Sequence, residues 1–316
     1  MTLRPSSVPR TRGWGIALAF LTAIISGVAI FLNSYGVAAW GESGATTATY
    51  TTAKNLVAAL FLGLILFVGT RRRSEEGFTK PTSPSQWLGL AAVGLIGGSV
   101  PFLLFFEGLA RASSGQAAFI HKTLLIWVVL LAVPLLKEKL SVAHYGALAL
   151  LIAGQVSIAG GISGLVLGSG EMMILAATLM WSVEVIIAKR LLSDLSPLTV
   201  GTARMGLGLV ILVAYGLASG ALASLGGLAL SEWGWALVTG LLLTGYIVTW
   251  YSGLARAQAI DVTAVLVFGA VVTAVLQSGM KGLDLSLQLP GLILVTLGTG
   301  VIGALAWQRR HEAGVR

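Results

Sequence analysis

The sequence predicts an all-α membrane protein with ten transmembrane helices built as two inverted five-helix repeats. Three observations carry this prediction: the apolar composition, the distribution of Lys and Arg along the chain, and an internal repeat. Of the 316 residues, 56% are hydrophobic and 10% are charged, whereas a soluble domain carries about 25% charged residues. So few charges cannot cover a surface that faces water, and the composition therefore indicates a lipid environment.

The transmembrane helices are predicted from apolar runs, because a helix needs about 20 mostly apolar residues to cross a bilayer. The first run follows three arginines, but it continues beyond the length of a signal-peptide core and lacks a clear small-residue cleavage site. Ser196 and Pro197 are typical of a helix start, as N-cap and first helical residue. The ten runs lie at about 13–38, 45–68, 86–109, 113–136, 142–159, 171–191, 197–218, 233–254, 260–280 and 288–307.

These runs predict a chain divided into two helical units that are joined by a glycine-rich segment. Short polar tails flank the two units. The predicted divisions are a cytoplasmic N-terminal tail at 1–12, a first five-helix repeat at 13–159, a linker at 160–170, a second repeat at 171–307 and a cytoplasmic tail at 308–316.

The positive charges predict the orientation of the chain. With the N-terminus in the cytoplasm, 15 of the 20 Lys and Arg residues fall on the cytoplasmic side, two on the outer side and three inside helices. Cytoplasmic loops of membrane proteins carry such an excess of Lys and Arg. This distribution explains the net charge of +8 without a nucleic-acid partner. It predicts a multi-pass protein of the cell (inner) membrane with both termini in the cytoplasm.

An internal repeat divides the helices into two sets of five. The segment Gly108–Ala112 recurs as Gly253–Ala257 at an offset of 145, which aligns helices 3 to 5 with helices 8 to 10. An offset of 150 places Lys54 of helix 2 over Arg204 of helix 7. Because five is odd, the second set must enter the membrane in the opposite direction. Inverted repeats of this kind support alternating access, with substrate bound near the midplane.

Several motifs resemble the drug/metabolite transporter superfamily, in particular its ten-helix EamA type. The motifs are the Gly108 to Ser114 turn, Lys137-Glu138-Lys139-Leu140-Ser141, the Trp181 to Lys189 pattern, Ser196-Pro197 and Arg204. The resemblance spans about residues 13 to 307. It implies a secondary transporter, often an exporter of amino acids or other small metabolites. The sequence departs from the family in helix 1, where Ile25 and Asn33 replace the usual Trp and Lys.

Three ionisable residues inside predicted helices are candidates for substrate binding. An ionisable residue in the membrane costs about 3 kcal/mol on insertion scales. We therefore expect Lys54, Arg204 and Glu184 to pair with another group, line water or bind a ligand. Each cation could line a central cavity, or it could cap backbone carbonyls or pair with a carboxylate. Glu184 could pair with Arg204, exchange a proton or hold a substrate amine. Tyr50 lies one turn before Lys54 on the same face.

The pair His121 and Lys122 breaks the repeat, because the offset of 145 aligns it with Leu266 and Val267. The scaffold therefore does not require polar residues at these positions. A histidine can change its charge near neutral pH, which makes this pair a candidate for substrate binding or proton coupling. The alternatives are a histidine that packs between helices and a lysine that reaches toward the outer interface.

Aromatic residues complete the predicted site. Trp181 lies three residues before Glu184 on one face of helix 6, and Tyr246 and Trp250 are one turn apart on helix 8. They could form an aromatic wall around a substrate, or they could serve only in packing and at the membrane interface.

Together these features favour a secondary transporter, an exporter of a small polar metabolite such as an amino acid or another carboxylate-bearing compound. The excess of buried cations favours a substrate with an anionic group. A membrane-embedded enzyme acting on a phosphate-bearing lipid and a non-transporting scaffold are the alternatives. The sequence lacks a phosphate loop, a paired-aspartate motif and metal-spaced His or Glu clusters, so we predict no cofactor and no metal. Proton coupling and pairing of two copies stay open.

Overall fold

The computed structural model describes residues 12–71, 77–160, 168–282 and 284–313. Regular secondary structure in these ranges is helical. Two short 3-10 turns, at Ala221–Gly227 and Ser286–Gln288, connect longer helices. The helices are α1 (Arg12–Glu42), α2 (Thr47–Arg71), α3 (Pro84–Leu109), α4 (Ser114–Leu136), α5 (Val142–Ile158), α6 (Ser169–Leu191), α7 (Pro197–Ala218), α8 (Leu230–Arg256), α9 (Ala259–Lys281) and α10 (Leu289–Ala313).

The predicted fold class is confirmed over the described residues. Nine helices in these ranges are long and apolar enough to cross a membrane, and α5 is an apolar helix of 17 residues. At 1.5 Å per residue, α5 is about 26 Å long, which is somewhat shorter than the hydrocarbon core of about 30 Å.

Several predicted boundaries fall at or beyond the edges of the described ranges. Residues 1–11 of the predicted N-terminal tail, 161–167 of the predicted linker and 314–316 of the predicted C-terminal tail lie outside the described residues. Helix α10 continues to Ala313, so the described part of the predicted C-terminal tail is helical.

The helix starts follow from local hydrogen bonding. The Ser196 hydroxyl accepts the backbone N–H of Thr199 at 3.1 Å, and Pro197 occupies the first turn of α7. At the start of α3, the Ser83 hydroxyl accepts the N–H of Gln86, and the Gln86 amide oxygen accepts the N–H of Ser83. Such caps satisfy backbone donors that have no partner inside the helix.

The two halves interlock with a contact pattern that stays the same when the halves are exchanged. Helix α1 packs against α8 and α9, and its counterpart α6 packs against α3 and α4. Helix α2 packs against α7 and α8, and α7 packs against α2 and α3. The pairs α4–α9 and α5–α10 contact their own counterparts. This symmetry supports the internal repeat that the sequence predicts.

The repeat also extends to irregularities of the backbone. Helix α4 is interrupted at Thr123 and α9 is interrupted after Leu266, and the offset of 145 aligns Thr123 with Phe268 inside the second interruption. The same offset aligns Lys137 with Gly282, which end α4 and α9 in left-handed conformations with φ of 55° and 66°. Glycine adopts this conformation readily, whereas a lysine is strained there.

A buried polar network lies at the side of the bundle on which the odd-numbered helices begin, here called the N-terminal side. The carboxylate of Glu138 accepts the backbone N–H groups of Ala259 and Ile260 at 2.7 and 3.0 Å, at the first turn of α9. Burial raises the pKa of Glu138, and the two N–H bonds oppose that shift. His144 lies 3.3 Å from Asp261, and both side chains are 1% exposed. The network therefore joins the α4–α5 connection to α9 across the two halves.

Candidate functional site

A cavity lies between the two halves, lined by residues from the interior of α1 to α4 and α6 to α8. The centres of water molecules can occupy a volume of about 80 Å³ in this cavity. Because one water needs about 10–15 Å³ on this measure, the cavity has room for several waters. The lining residues are Ser26, Ala29, Ile30, Asn33, Lys54, Phe102, Phe105, Phe106, His121, Leu124, Trp181, Glu184, Val185, Arg204, Thr239, Leu243, Tyr246 and Trp250.

One wall of the cavity is shaped by a break in α3. Pro101 has no backbone N–H, so the carbonyl of Gly97, four residues earlier, lacks its helical donor. The indole N–H of Trp181 donates to this carbonyl at 3.0 Å. The helix is interrupted at Ser99, whose hydroxyl donates to the carbonyls of Gly94 and Leu95. The kink that Pro101 predicts therefore also fixes Trp181 at the cavity.

Close contact between α3 and α7 brings Arg204 to the cavity. A side chain on Gly98 would collide with the backbone of Arg204, and one on Gly208 would collide with the backbone of Gly98. A Cβ on Gly97 would fall 3.3 Å from the Nε of Arg204. Small residues let membrane helices approach closely, and here they make room for a guanidinium group.

Arg204 is paired within a buried triad. Its Nη1 lies 3.7 Å from Oε2 of Glu184 and donates to the hydroxyl of Tyr251 at 3.3 Å. The same hydroxyl donates to Oε1 of Glu184 at 2.5 Å. The Nε of Arg204 has no hydrogen-bond partner among the described residues. The carboxylate compensates the charge of Arg204, and one guanidinium donor stays unused.

Lys54 has a different environment, although it is the repeat counterpart of Arg204. Its Nζ donates to Oδ1 of Asn33 at 3.2 Å, and it lies 3.8 Å from the ring centroid of Phe106. The hydroxyl of Tyr50 donates to the same Asn33 oxygen at 2.7 Å. Among the described residues, no carboxylate lies within 4.0 Å of Lys54. The amide and the aromatic ring orient the ammonium group without neutralising it.

Both cations approach the same aromatic ring. Lys54 Nζ lies 5.6 Å and Arg204 Cζ lies 5.7 Å from the centroid of Phe102. Repeat-equivalent cations therefore converge on one space, as the alignment of Lys54 with Arg204 predicts.

His121 lines the cavity, whereas Lys122 lies behind its wall. The imidazole packs edge to face against Phe105 and Trp181, with ring centroids 5.7 and 5.3 Å away. The Nζ of Lys122 is 3.4 Å from Nδ1 of His121 and donates to the hydroxyl of Ser26 at 2.8 Å. An ammonium group only donates, so a charged Lys122 requires the His121 tautomer that carries its hydrogen on Nε2.

The remaining aromatic residues form the opposite wall. Tyr246 and Trp250 stack with ring centroids 5.9 Å apart and an interplanar angle of 13°. Both line the cavity, and Trp250 is 1% exposed. Flat, rigid faces of this kind provide apolar contact without a large loss of side-chain freedom on binding.

The structure brings most of the sequence-predicted site residues together. Two lie one layer behind the cavity wall: Tyr50, which contacts Asn33 and Thr239, and Lys122, which contacts Ser26. The other seven predicted residues line the cavity: Lys54, His121, Trp181, Glu184, Arg204, Tyr246 and Trp250.

Some residues in the cavity wall or directly behind it were not candidates from the sequence. Asn33 attracted attention only as a departure from the family pattern, yet it holds the ammonium group of Lys54. Tyr251 is next to Trp250, and only the packing of α8 against α6 and α7 shows that it bridges Glu184 and Arg204. Phe102 and Phe106 are two of several apolar residues in α3. Their spacing of four residues was the one signal that could have placed them on a common face.

A metal site is not apparent in the part of the chain that the structure describes. No group of three or more His, Cys, Asp or Glu residues there could hold a metal ion.

Comparison with known proteins places this arrangement in a family. The sequence profile described as the EamA-like transporter family matches residues 13–160 and 168–304. The chain is 23% identical over 309 residues to the "Uncharacterized transporter YyaM" of Bacillus subtilis (strain 168). This alignment covers 93% of the chain and 96% of that protein. A solved structure titled "Crystal structure of protein" is similar in fold, with a TM-score of 0.65 and 18% identity. That match covers 91% of this chain and 98% of the other.

Proposed function

Because the chain belongs to the EamA-like transporter family, whose members are non-enzymatic membrane transporters, we propose that it exports a small carboxylate-bearing metabolite. The match to the family profile confirms the resemblance that the sequence motifs indicate, and it excludes the alternative of a lipid-processing enzyme. The substrate class and the direction of transport are our proposal. Its central support is the single uncompensated cation of the cavity, Lys54.

The charges of the cavity favour an anionic substrate. Two cations, Lys54 and Arg204, line it with one carboxylate, Glu184. An ion removed from water carries a desolvation penalty of several kcal/mol unless a partner offsets it. Glu184 offsets that penalty for Arg204, whereas the described residues offer Lys54 only an amide oxygen and aromatic rings. A substrate carboxylate would supply the missing charge.

The unused donors define how a carboxylate could bind. The ammonium group of Lys54 has three hydrogens, of which one is directed at Asn33. The Nε of Arg204 is buried without a partner. A carboxylate beside the Phe102 ring would accept from Lys54 and would lie near the guanidinium group of Arg204, because both cations approach that ring. The small volume and the aromatic wall of Tyr246 and Trp250 favour a compact substrate with an apolar or aromatic part.

The two-fold arrangement of the halves provides the route for transport. Inverted halves can rock about a central site so that it opens to one side at a time. The network of Glu138, His144 and Asp261 joins the two halves at the N-terminal side, and in our proposal it keeps that side closed. We place this side in the cytoplasm because it collects most Lys and Arg residues. Glu184 and His121 line the same cavity and could couple substrate movement to a proton.

The decisive experiment changes the charge of Lys54. We expect Lys54→Gln to lower carboxylate transport by proteoliposomes at least 50-fold and to leave the unfolding temperature within a few degrees. The measurement pairs efflux of radiolabelled amino acids and other monocarboxylates with a thermal-shift screen of the same compounds, because binding stabilises the folded state.

A matched control is available on the surface of the same chain. Lys281 also lies against aromatic rings, 4.9 Å from the centroid of Tyr35, but it is exposed and does not line the cavity. Lys281→Gln should therefore transport normally. Undiminished carboxylate transport by Lys54→Gln, or an equal loss in both variants, would contradict the proposed function.

A further inference from the structure

A second cavity lies between α4, α5, α9 and α10 on the side opposite the Glu138 network. Water-sized spheres can be centred in about 370 Å³ of it. Its polar lining is neutral: four glutamines contribute amide groups, and Ser113 and Thr273 contribute hydroxyls. Apolar residues form the remainder of the wall. The lining residues are Ser113, Gly115, Gln116, Ala118, Phe119, Gln155, Ile158, Ala159, Ala270, Thr273, Ala274, Gln277 and Gln288.

Gln155 is the most informative residue of this cavity. Its side chain is 6% exposed, and neither its amide oxygen nor its amide nitrogen has a hydrogen-bond partner among the described residues. Burying an amide without hydrogen-bond partners is unfavourable, because the amide loses its bonds to water. Gln288 also has a buried amide oxygen without a partner in the described part of the chain. Two glutamines on this wall therefore hold unused hydrogen-bonding capacity.

We propose that this glutamine-lined cavity binds a neutral small molecule through a primary carboxamide and that its occupancy holds this side of the transporter open. The amide of Gln155 lies in the wall between this cavity and a smaller one lined by Lys122, and it carries a donor and an acceptor side by side. A primary carboxamide presents the complementary pair, so it can satisfy both atoms at once. The lining contains no ionisable side chain to hold a charged ligand, and Phe119, Ile158 and Ala270 provide apolar contact for the body of the molecule.

The effect on transport follows from the repeat and rests on the proposed alternating-access function. The offset of 145 aligns Gln116 of this cavity with Asp261 of the Glu138 network. Helices α4, α5 and α9 therefore meet at an ionisable network at one end and at a neutral cavity at the other. When the N-terminal side opens, symmetry requires the glutamine-lined end to close. A molecule inside this cavity would prevent that closure.

The test uses benzamide as the probe and N,N-dimethylbenzamide as its matched analogue, which has no amide N–H. Thermal unfolding of the purified full-length protein is measured with each compound at millimolar concentration. We expect benzamide to raise the unfolding midpoint by at least 2 °C (about the shift that 1 kcal/mol produces in a large domain), and the analogue to have no effect. Gln155→Leu should lose the response. Without ligand it should be at least as stable as the parent protein, because its amide has no bond to lose.

Two further measurements separate this proposal from the proposed function. Lys54→Gln should still respond to benzamide, and Gln155→Leu should still transport carboxylates. The chain contains no cysteine, so a single Ala259→Cys reports opening of the N-terminal side through its labelling by a maleimide. Benzamide should slow that labelling at least threefold. An absent benzamide response, an equal response in Gln155→Leu or unchanged labelling would each overturn the proposal, whatever the fate of the carboxylate hypothesis.

Discussion

Lys54 and Arg204 occupy equivalent positions in the two halves, yet their surroundings differ in one decisive respect. Arg204 has a carboxylate partner, Glu184, and Tyr251 bridges the two. Lys54 has the neutral amide of Asn33 and the aromatic face of Phe106. The repeat thus provides two cations at one cavity, and the neighbouring residues determine which of them is neutralised.

The comparison separates what the fold requires from what the function requires. A paired buried ion is compatible with a purely structural role, because its charge is offset within the protein. A buried cation that lines a cavity without a carboxylate partner, as Lys54 does, keeps its desolvation penalty until a ligand offsets it. The same penalty becomes binding free energy when a ligand of opposite charge arrives. In the proposed function, Lys54 is therefore the principal group for a substrate carboxylate, whereas Arg204 is already paired with Glu184.

The largest effect is expected from giving Lys54 a carboxylate partner like that of Arg204. Asn33→Asp places a carboxylate where the Asn33 oxygen already accepts from Lys54 and Tyr50. Lys54 would then be neutralised as Arg204 is. We expect carboxylate efflux from proteoliposomes to fall at least 100-fold, with no decrease in the unfolding temperature.

Asn33→Ala is the matched control, because it removes the amide without adding charge. This variant should keep transport within fivefold of the parent protein. If Asn33→Asp transports carboxylates normally, Lys54 is not the group that recognises them.

The sequence predicted more of the fold than of the site. Apolar runs and the charge distribution predicted the helices, whereas the paired interruptions at Thr123 and Phe268 were not predicted, although the offset of 145 relates them. These features depend on local composition and periodicity. The ionisable residues of the cavity were also identifiable, because a charge inside a membrane helix is conspicuous.

Partners across the helix interfaces could not be predicted. The role of Asn33 depends on the approach of α1 to α2, and that of Tyr251 depends on the meeting of α6, α7 and α8. Likewise, a lysine next to a histidine gives no indication that only His121 reaches the cavity while Lys122 contacts Ser26. Such contacts depend on how helices rotate against each other, which apolar periodicity specifies only coarsely.

The second largest effect is expected from removing the carboxylate partner of Arg204, so that Arg204 becomes as unpaired as Lys54. Glu184→Gln leaves a buried guanidinium without its carboxylate, and breaking a buried pair costs about 3 kcal/mol. We expect a clearly lower midpoint in thermal unfolding, which dicarboxylates should restore more than monocarboxylates because the cavity then holds two uncompensated cations.

Glu171→Gln serves as the control for that effect. Glu171 is a buried glutamate at the start of the same helix, where it accepts the N–H of Gly168. Its substitution should cost about 1 kcal/mol and should show no preference for dicarboxylates. Equal stability of Glu184→Gln and the parent protein would mean that Arg204 does not depend on Glu184.

A smaller effect is expected from displacing Arg204 without changing any charge. Gly208→Ala would place a methyl group against the backbone of Gly98, where α3 and α7 meet. Overpacking of this kind costs about 1–3 kcal/mol. On the same helix, Gly206 has open space at its Cβ position, so Gly206→Ala should be neutral or slightly stabilising. Both variants exchange Gly for Ala on α7, so a difference between their unfolding midpoints reports only the steric contact at Gly208. Equal midpoints would refute the close packing of α3 against α7.

The smallest effect is expected at His121, the position where the first half departs from the second. Its repeat counterpart is Leu266, so His121→Leu makes the halves alike while keeping an apolar group against Phe105 and Trp181. We propose that the imidazole forms one neutral hydrogen bond to substrate, and the variant would lose this bond at a cost of about 1 kcal/mol. We therefore expect KM for efflux to rise about fivefold, with kcat nearly unchanged. A loss in kcat with unchanged KM would instead assign His121 to proton coupling, because a group that moves a proton acts on turnover rather than on binding.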